Sequence, residues 1–454
     1  MQKVAEYFCI SFIISNFAAV FYVTKKMAET THYKRRIADL LLERRLQGKG
    51  AILIEGPKWC GKTTTAKQFA KSLLDLGDST VLSNAETALQ VNPRSLLAGD
   101  TPRLLDEWQC VPALWDMVRS EVDRRQAFGQ FILTGSSVPP QQEEIHHSGT
   151  GRIARISMRP MSLWESGESS GKVSLTDLFE GVPIEPQDNN LSLEDIAYLT
   201  CRGGWPQSTL IKGELALDEA RDYYEAIYKT DIHRIDKVRR SSERTRLLLR
   251  SYARHQGDSV SFSRLSEDIK ENDNKSITYE TVSDYAEALK KLFVIEDMPA
   301  WNPNLRSKSA IQSSDTRYFI DPSIATSALS VGPNDLINDL KSFGLFFETL
   351  AVRDLRVYAD ALSGSVFHFR NAAGLECDAV LHRRNGSYGL IEIKLGGPDL
   401  IEKGAETLND LKEKIDLDKM PAPSFLMVLT AVGDYSYQRP QDGIWVVPIG
   451  CLKP

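Results

Sequence analysis

The chain has 454 residues, a hydrophobic fraction of 42%, a charged fraction of 26% and a formal net charge of −6. Such a length holds roughly two to four domains. The mild acidity argues against a protein that coats nucleic acid with its whole surface, while leaving room for a local basic groove. The six cysteines are scattered without a C-x-x-C pair, as in a reduced chain with neither zinc site nor disulfide framework.

Tyr7 to Val23 is uncharged and mostly apolar, but Ser11, Ser15 and Asn16 interrupt it. It is shorter than the roughly 20 apolar residues of a membrane span. Met27 opens MAETTHYKRRIADLLLERR, which reads as a natural soluble start. Residues 1–33 are expected to lie outside the fold and the chain to be cytoplasmic, a membrane anchor being the lesser alternative.

Ala51–Glu55 (AILIE) is a short apolar strand. It meets GPKWCGKTT, residues 56–64, and then a helical pattern, TAKQFAKSLLDL. Gly56, Gly61, Lys62 and Thr63 match G-x-x-x-x-G-K-[ST]. The glycines let the backbone N–H groups of Lys58, Trp59, Cys60 and Thr64 wrap phosphates, with Pro57 contributing shape but no donor. The following helix points its positive end at them. Lys62 can reach the outer phosphates of ATP, and the Thr63 hydroxyl can hold Mg²⁺.

RLLDEW, residues 103–108, is a strand ending in two carboxylates. Asp106 would bind Mg²⁺ and Glu107 would polarise the attacking water. A helix, VPALWDMVRSEVDRR, leads to the apolar run Phe131–Ser136. Its Thr134 and Ser136 could sense the γ-phosphate or place the water. Next, HHSGTGRIARISMRP offers Arg152, and less strongly Arg155, as a finger reaching a neighbour's nucleotide. A surface ion pair is the plain alternative for both.

The order LIEGPKWCGKTT, RLLDEWQ, FILTGSS, GTGRIARISMRPMSLWE resembles a prokaryotic AAA-type P-loop ATPase family. That family joins the ATPase to a C-terminal restriction-endonuclease-like, PD-(D/E)xK, domain of unassigned function. The resemblance runs from about Lys34 to the C-terminus. It implies ATP, Mg²⁺ and self-association. It also implies an α/β architecture in which an AAA-like parallel sheet, a central module and a nuclease-like domain follow one another.

The ATPase domain is expected over 34–165, a linker and helical connector over 166–239, a winged-helix-like module over 240–330 and the nuclease-like domain over 331–454. Ser162 to Asn190 is Ser/Gly-rich and acidic and reads as a loop. CRGGWPQS, residues 201–208, needs a tight turn and carries no assigned chemistry. SSERTRLLLRSYARHQ, VSFSRLSEDI and SITYETVSDYAEALKKLFV read as three helices, the last capped by Ser276 or Thr278. FVIEDMPAW and TRYFIDPS would be the strands of a wing around a basic tip with Arg306 and Lys308. Glu280, Asp284 and Glu287 on the third helix weigh against DNA binding by this module.

YGLIEIKLGG, residues 388–397, places Glu392 and Lys394 inside an apolar strand. Buried charges need partners or a task. The preceding strand, LECDAVL, carries Asp378, and HRRNGSY forms the turn between them. This is the D…E-x-K constellation of PD-(D/E)xK nucleases. Two carboxylates would hold a second Mg²⁺ or Mn²⁺ that activates water, and the lysine would position it. Glu348 in FGLFFETLAVRDLRVY would add a ligand. A permanently paired Glu and Lys in a fold that no longer cuts is the competing reading. It would make the chain a nucleotide-dependent switch rather than an ATPase acting on DNA or RNA.

Overall fold

The computed structural model describes residues 33–136, 148–236, 238–304 and 314–454. The apolar stretch 7–23 and the basic tip with Arg306 and Lys308 lie outside them. The chain divides into units 1–35 and 36–454; residues 33–35, the described part of the first, carry no helix or strand. Among the described residues no helix is long and apolar enough to cross a membrane.

The second unit opens with α1 (Ile37–Leu46), β1 (Ala51–Glu55) and α2 (Lys62–Lys67). Then come β2 (Ser72–Asp75), α3 (Ser79–Val91), β3 (Arg103–Asp106), α4 (Leu114–Arg125), β4 (Phe131–Gly135) and β5 (Ile153–Ser157). The five strands form a parallel sheet in the order β2-β3-β4-β1-β5. Alternation splits their side chains. Leu53, Leu105 and Leu133 pack with Leu114 and Val118 of α4, while Ile52, Ile54, Leu104 and Ile132 pack with Leu42 of α1. Because β4 lies between β1 and β3, the C-terminal ends of all three meet at one rim, where open α/β sheets bind ligands.

TAKQFAKSLLDL does not continue as one helix. α2 stops at Lys67, and Ser72–Asp75 pairs with β3 as the sheet edge. The four-residue run SLLD is too short for its periodicity to separate strand from helix, and the free edge of β3 decides it.

The middle holds α5 (Leu163–Ser166), β6 (Val173–Ser174), α6 (Leu175–Glu180), β7 (Gln187–Asp188), α7 (Leu193–Arg202) and α8 (Glu214–Lys229). α9 (Ser242–Arg254), α10 (Phe262–Asp273), α11 (Tyr279–Lys291), α12 (Pro322–Leu329) and α13 (Pro333–Asn338) follow. The expected loop over 162–190 is partly ordered by distant strands. β6 pairs with the chain's last strand, and β7 with a strand near residue 435. Thr278, rather than Ser276, caps α11. Among the described residues the expected wing shows two antiparallel bridges, Ile295↔Phe319 and Met298↔Thr316. Its first segment runs on to the edge of the strand Gly364–Arg370, where Trp301 N donates to His368 O at 2.7 Å.

The last part runs α14 (Leu340–Ala361), β8 (Gly364–Arg370), β9 (Glu376–Arg383), β10 (Tyr388–Lys394), α15 (Pro398–Lys414), β11 (Phe425–Thr430), β12 (Tyr435–Gln438), β13 (Trp445–Pro448) and β14 (Leu452–Lys453). A seven-stranded sheet is ordered β7-β12-β13-β11-β10-β9-β8. β10 runs antiparallel to β9 and parallel to β11. Ile391 and Ile393 face the core that contains α14, and Tyr388 and Leu390 face Ala405 and Leu408 of α15. The α14 core extends without a break through α7–α12, so connector, central helices and C-terminal sheet share one interior.

Candidate functional site

The first site lies on the rim of the parallel sheet. Gly61 ends the loop in the left-handed region, φ 100°, and caps α2. Only glycine takes that conformation without strain. Lys62 is buried, and its ammonium donates to Gly56 O at 2.9 Å and Pro57 O at 2.6 Å. Thr63 Oγ1 donates to Asp106 Oδ1 at 2.8 Å, and Thr134 Oγ1 donates to the same oxygen. So α2, β3 and β4 each contribute to one cluster of hard oxygens, a donor set suited to Mg²⁺.

Glu107 has φ 52°, which swings its side chain away from the β3 ladder. Its carboxylate accepts from Gln109 Nε2 and, at 3.4 Å, from Ser136 Oγ. Gln109 escaped the sequence reading, although it belongs to the quoted run RLLDEWQ. Arg152 is placed elsewhere. Its carbonyl accepts from Ala51 N at 3.2 Å, beside the start of β1. The glycine loop begins past the other end of that strand, about 13 Å further on. In its own chain Arg152 pairs with Asp123 at 2.9 Å. Arg155 pairs with Glu55 at 2.8 Å and lies over the Trp115 ring.

The loop's tip is gripped by the central helices. Lys58 pairs with Asp231 at 2.5 Å, and the half-exposed Trp59 packs at a tilt against Tyr223 of α8 with centroids 5.5 Å apart. Cys60 O accepts from Arg36 at 2.8 Å, and Thr64 is exposed on α2. Tyr223 in turn lies 4.3 Å from Trp205, inside the CRGGWPQS segment. Here Gly204 N donates to Asp321 at 2.9 Å, Met161 N donates to Gly204 O at 2.6 Å, and Trp205 Nε1 donates to Ser323 Oγ at 2.9 Å. A side chain on Gly204 would strike Met161 O at 2.1 Å. Asp321 also takes Arg353 of α14 at 2.9 Å, fully buried.

The second site lies where β9 and β10 part. Lys394 Nζ stands 2.9 Å from Asp378 Oδ2 and 2.6 Å from Glu392 Oε2. Ile393 N donates to Asp378 Oδ2 at 2.7 Å, and Asp378 N to Glu392 Oε1 at 3.3 Å. Glu348 of α14 accepts from Tyr318 OH and is electrostatically linked to Asp378, Lys394 and Glu392. A side chain on Gly257 would meet the Glu348 carboxylate at 2.8 Å. Tyr318 and Gly257 come from the central segment and had no local sequence signal.

Burial, reinforced by Asp378, pushes the Glu348 and Glu392 carboxyls up. Burial works against the Lys394 charge, but Asp378 and Glu392 outweigh it and hold the ammonium charged. Among the described residues no three His, Cys, Asp or Glu side chains stand in metal-holding geometry. The lysine itself fills the gap between the two strand carboxylates.

Residues 48–166 match the family model described as an AAA domain. Residues 193–335 match a domain of unknown function (DUF8612), and residues 343–452 another (DUF4143). The chain is 21% identical over 381 residues to the uncharacterized protein Mb2031c of Mycobacterium bovis and, equally, to Rv2008c of Mycobacterium tuberculosis. Each alignment covers 84% of this chain and 78% of the relative. Among solved structures, the Walker-type ATPase PABY2304 of Pyrococcus abyssi is similar at 16% identity and TM-score 0.41, covering 64% of this chain and 94% of that one. The STAND protein PH0952 of Pyrococcus horikoshii is similar at 12% identity and TM-score 0.20, covering 71% and 52%. The AAA match falls on the residues that carry Lys62, Asp106 and Glu107 and supports an ATP-binding ATPase there.

Proposed function

We propose that this ATPase couples Mg²⁺-dependent ATP hydrolysis to a C-terminal nuclease-like site acting on DNA or RNA. The observation that carries the second half is the convergence of Asp378, Glu392 and Lys394, with Glu348 beside them, in an otherwise apolar sheet. At the first site Lys62 swings from the loop carbonyls to the nucleotide's outer phosphates. Thr63 and Asp106 hold Mg²⁺, which when bound offsets charge on the transferring phosphoryl group. Glu107, steadied by Gln109 and Ser136, orients the water, and Thr134 ties Asp106 to β4. Arg152 faces a neighbouring copy's nucleotide in a homo-oligomer, since it cannot reach its own.

At the second site Asp378, Glu392 and Glu348 would hold Mg²⁺ or Mn²⁺ once Lys394 leaves the gap between the strand carboxylates, and Lys394 would then position a hydrolytic water. The central helices serve as a winged-helix-like spacer between the two. One observation favours the alternative of a nucleotide-dependent switch with a retired nuclease fold: Lys394 already neutralises both strand carboxylates.

Incubation with supercoiled plasmid and Mg²⁺ or Mn²⁺, with and without ATP, separates them. We expect nicking or linearisation that Asp378→Ala abolishes. Intact plasmid, or identical cutting by Asp378→Ala, sinks the nuclease half and leaves the switch.

A further inference from the structure

A cavity of about 440 Å³ opens inside the central segment, and no residue of either site lines it. Leu217, Arg221, Tyr224 and Tyr228 follow one another at helical spacing on one face of α8. Arg246 and Arg250, one turn apart on α9, close the opposite wall. The C-terminal turn of α12 and Cys201 of α7 complete it.

The lining holds three guanidinium groups against one carboxylate, Glu225, which Lys229 already engages. Arg221 pairs with Asp218 at 2.9 Å, and Arg250 with Asp273 at 3.3 Å. Arg246 makes no ion pair or hydrogen bond among the described residues, although it is half-buried. The planar fork of a guanidinium that no protein acceptor engages suits a phosphate. The Tyr224 and Tyr228 rings stand 5.1 Å apart at the same cavity. Burial pushes the Tyr224 phenol up to about 12, with Arg246 and Arg250 pulling the other way, so its hydroxyl is a neutral donor at pH 7. Aromatic walls with arginine donors match a flat ring that carries an anion. The volume is in the range of small-molecule pockets and far exceeds what a bare phosphate ion fills.

We propose that this cavity binds a nucleoside monophosphate, its phosphate on Arg246 and Arg250 and its base against Tyr224 and Tyr228. The same chemistry is offered by a free nucleotide and by the 5′ end of a strand. The site goes beyond the two-site reading and does not depend on it.

Calorimetric titration of the full chain carrying Lys62→Ala, which disables the phosphate loop, tests it. The probes are AMP, GMP, CMP, UMP, a 5′-phosphorylated tetranucleotide and inorganic phosphate. At least one nucleotide or the tetranucleotide should bind one to one. Binding of free nucleotides identifies a metabolite source, and binding of the tetranucleotide alone identifies a strand end. Adding Arg246→Gln should weaken binding about tenfold or more. Arg246→Lys, which keeps the charge but loses the fork, should weaken it less and still fold if the first variant does not. Arg244→Gln, on the exposed side of α9, should change nothing. No binding at millimolar concentration, inorganic phosphate binding as tightly as the nucleotides, or unchanged affinity in both Arg246 variants would overturn the proposal.

Discussion

Lys62 and Glu107 show how single side chains are held ready for different tasks. The Lys62 ammonium rests on two loop carbonyls, which phosphates can replace without stranding a buried charge. Lys62→Ala should therefore abolish ATP binding, read as loss of nucleotide-induced thermal stabilisation. Among the described residues the Glu107 carboxylate accepts from Gln109 and Ser136 and engages no cation, so Glu107→Gln should keep ATP binding while slowing hydrolysis by about 10²–10⁴-fold, measured by phosphate release. At the second site, Glu348 has its folded-state pKa raised to about 8 by burial and by Asp378. The folded protein then holds a proton that the unfolded chain has already lost. Stability from this group is greatest below the ordinary carboxyl range and falls as pH rises toward 8. Glu348→Gln keeps an acceptor for Tyr318 and removes the titration. It should melt on the order of 2–4 °C above the parent at pH 9 and lose that advantage at pH 5, by differential scanning fluorimetry.

Among the elements, the Gly203–Gly204 turn draws neighbours from several remote segments. It joins Met161 after β5, Asp321 before α12, Arg353 on α14 and, through Trp205 and Tyr223, the tip of the phosphate loop. Its glycines are set by tertiary contact: a Cβ at Gly204 would lie 2.1 Å from Met161 O, and one at Gly203 2.4 Å from Asp321 Oδ1. Gly204→Ala should cost about 2 kcal/mol or more, visible in the urea midpoint, because backbone must move. The sequence marked this turn as tight and nothing else, since Asp321 and Arg353 lie more than a hundred residues away. The same limit governed the rest. β1, β3, β4, β9 and β10 were legible because each combines an apolar run with a polar terminus. β2, β6 and β7 were not, because four residues or fewer became strands only through pairing with remote edges. The glycine loop and the E-x-K strand could be read locally. Asp231, Tyr223, Tyr318 and Gly257 could not, because folding alone brings them to the sites.

For the molecule as a whole, the continuous core from α7 to the C-terminal sheet makes the central helices and α14 a single packed body. α14 carries Glu348 at the second site and Arg353 at the glycine turn, five residues apart on one helix. A change at the loop tip therefore has a packed route toward Glu348. Whether the second site works through metal or rests as a neutralised pair turns on Lys394. The most direct measurement is calorimetric Mn²⁺ binding to the full chain with Lys62→Ala, in two buffers of different ionisation enthalpy at pH 7. The account predicts a site lost in Asp378→Ala, with proton release as the raised Glu348 and Glu392 carboxyls ionise. No binding, or binding that Asp378→Ala leaves intact, would contradict it.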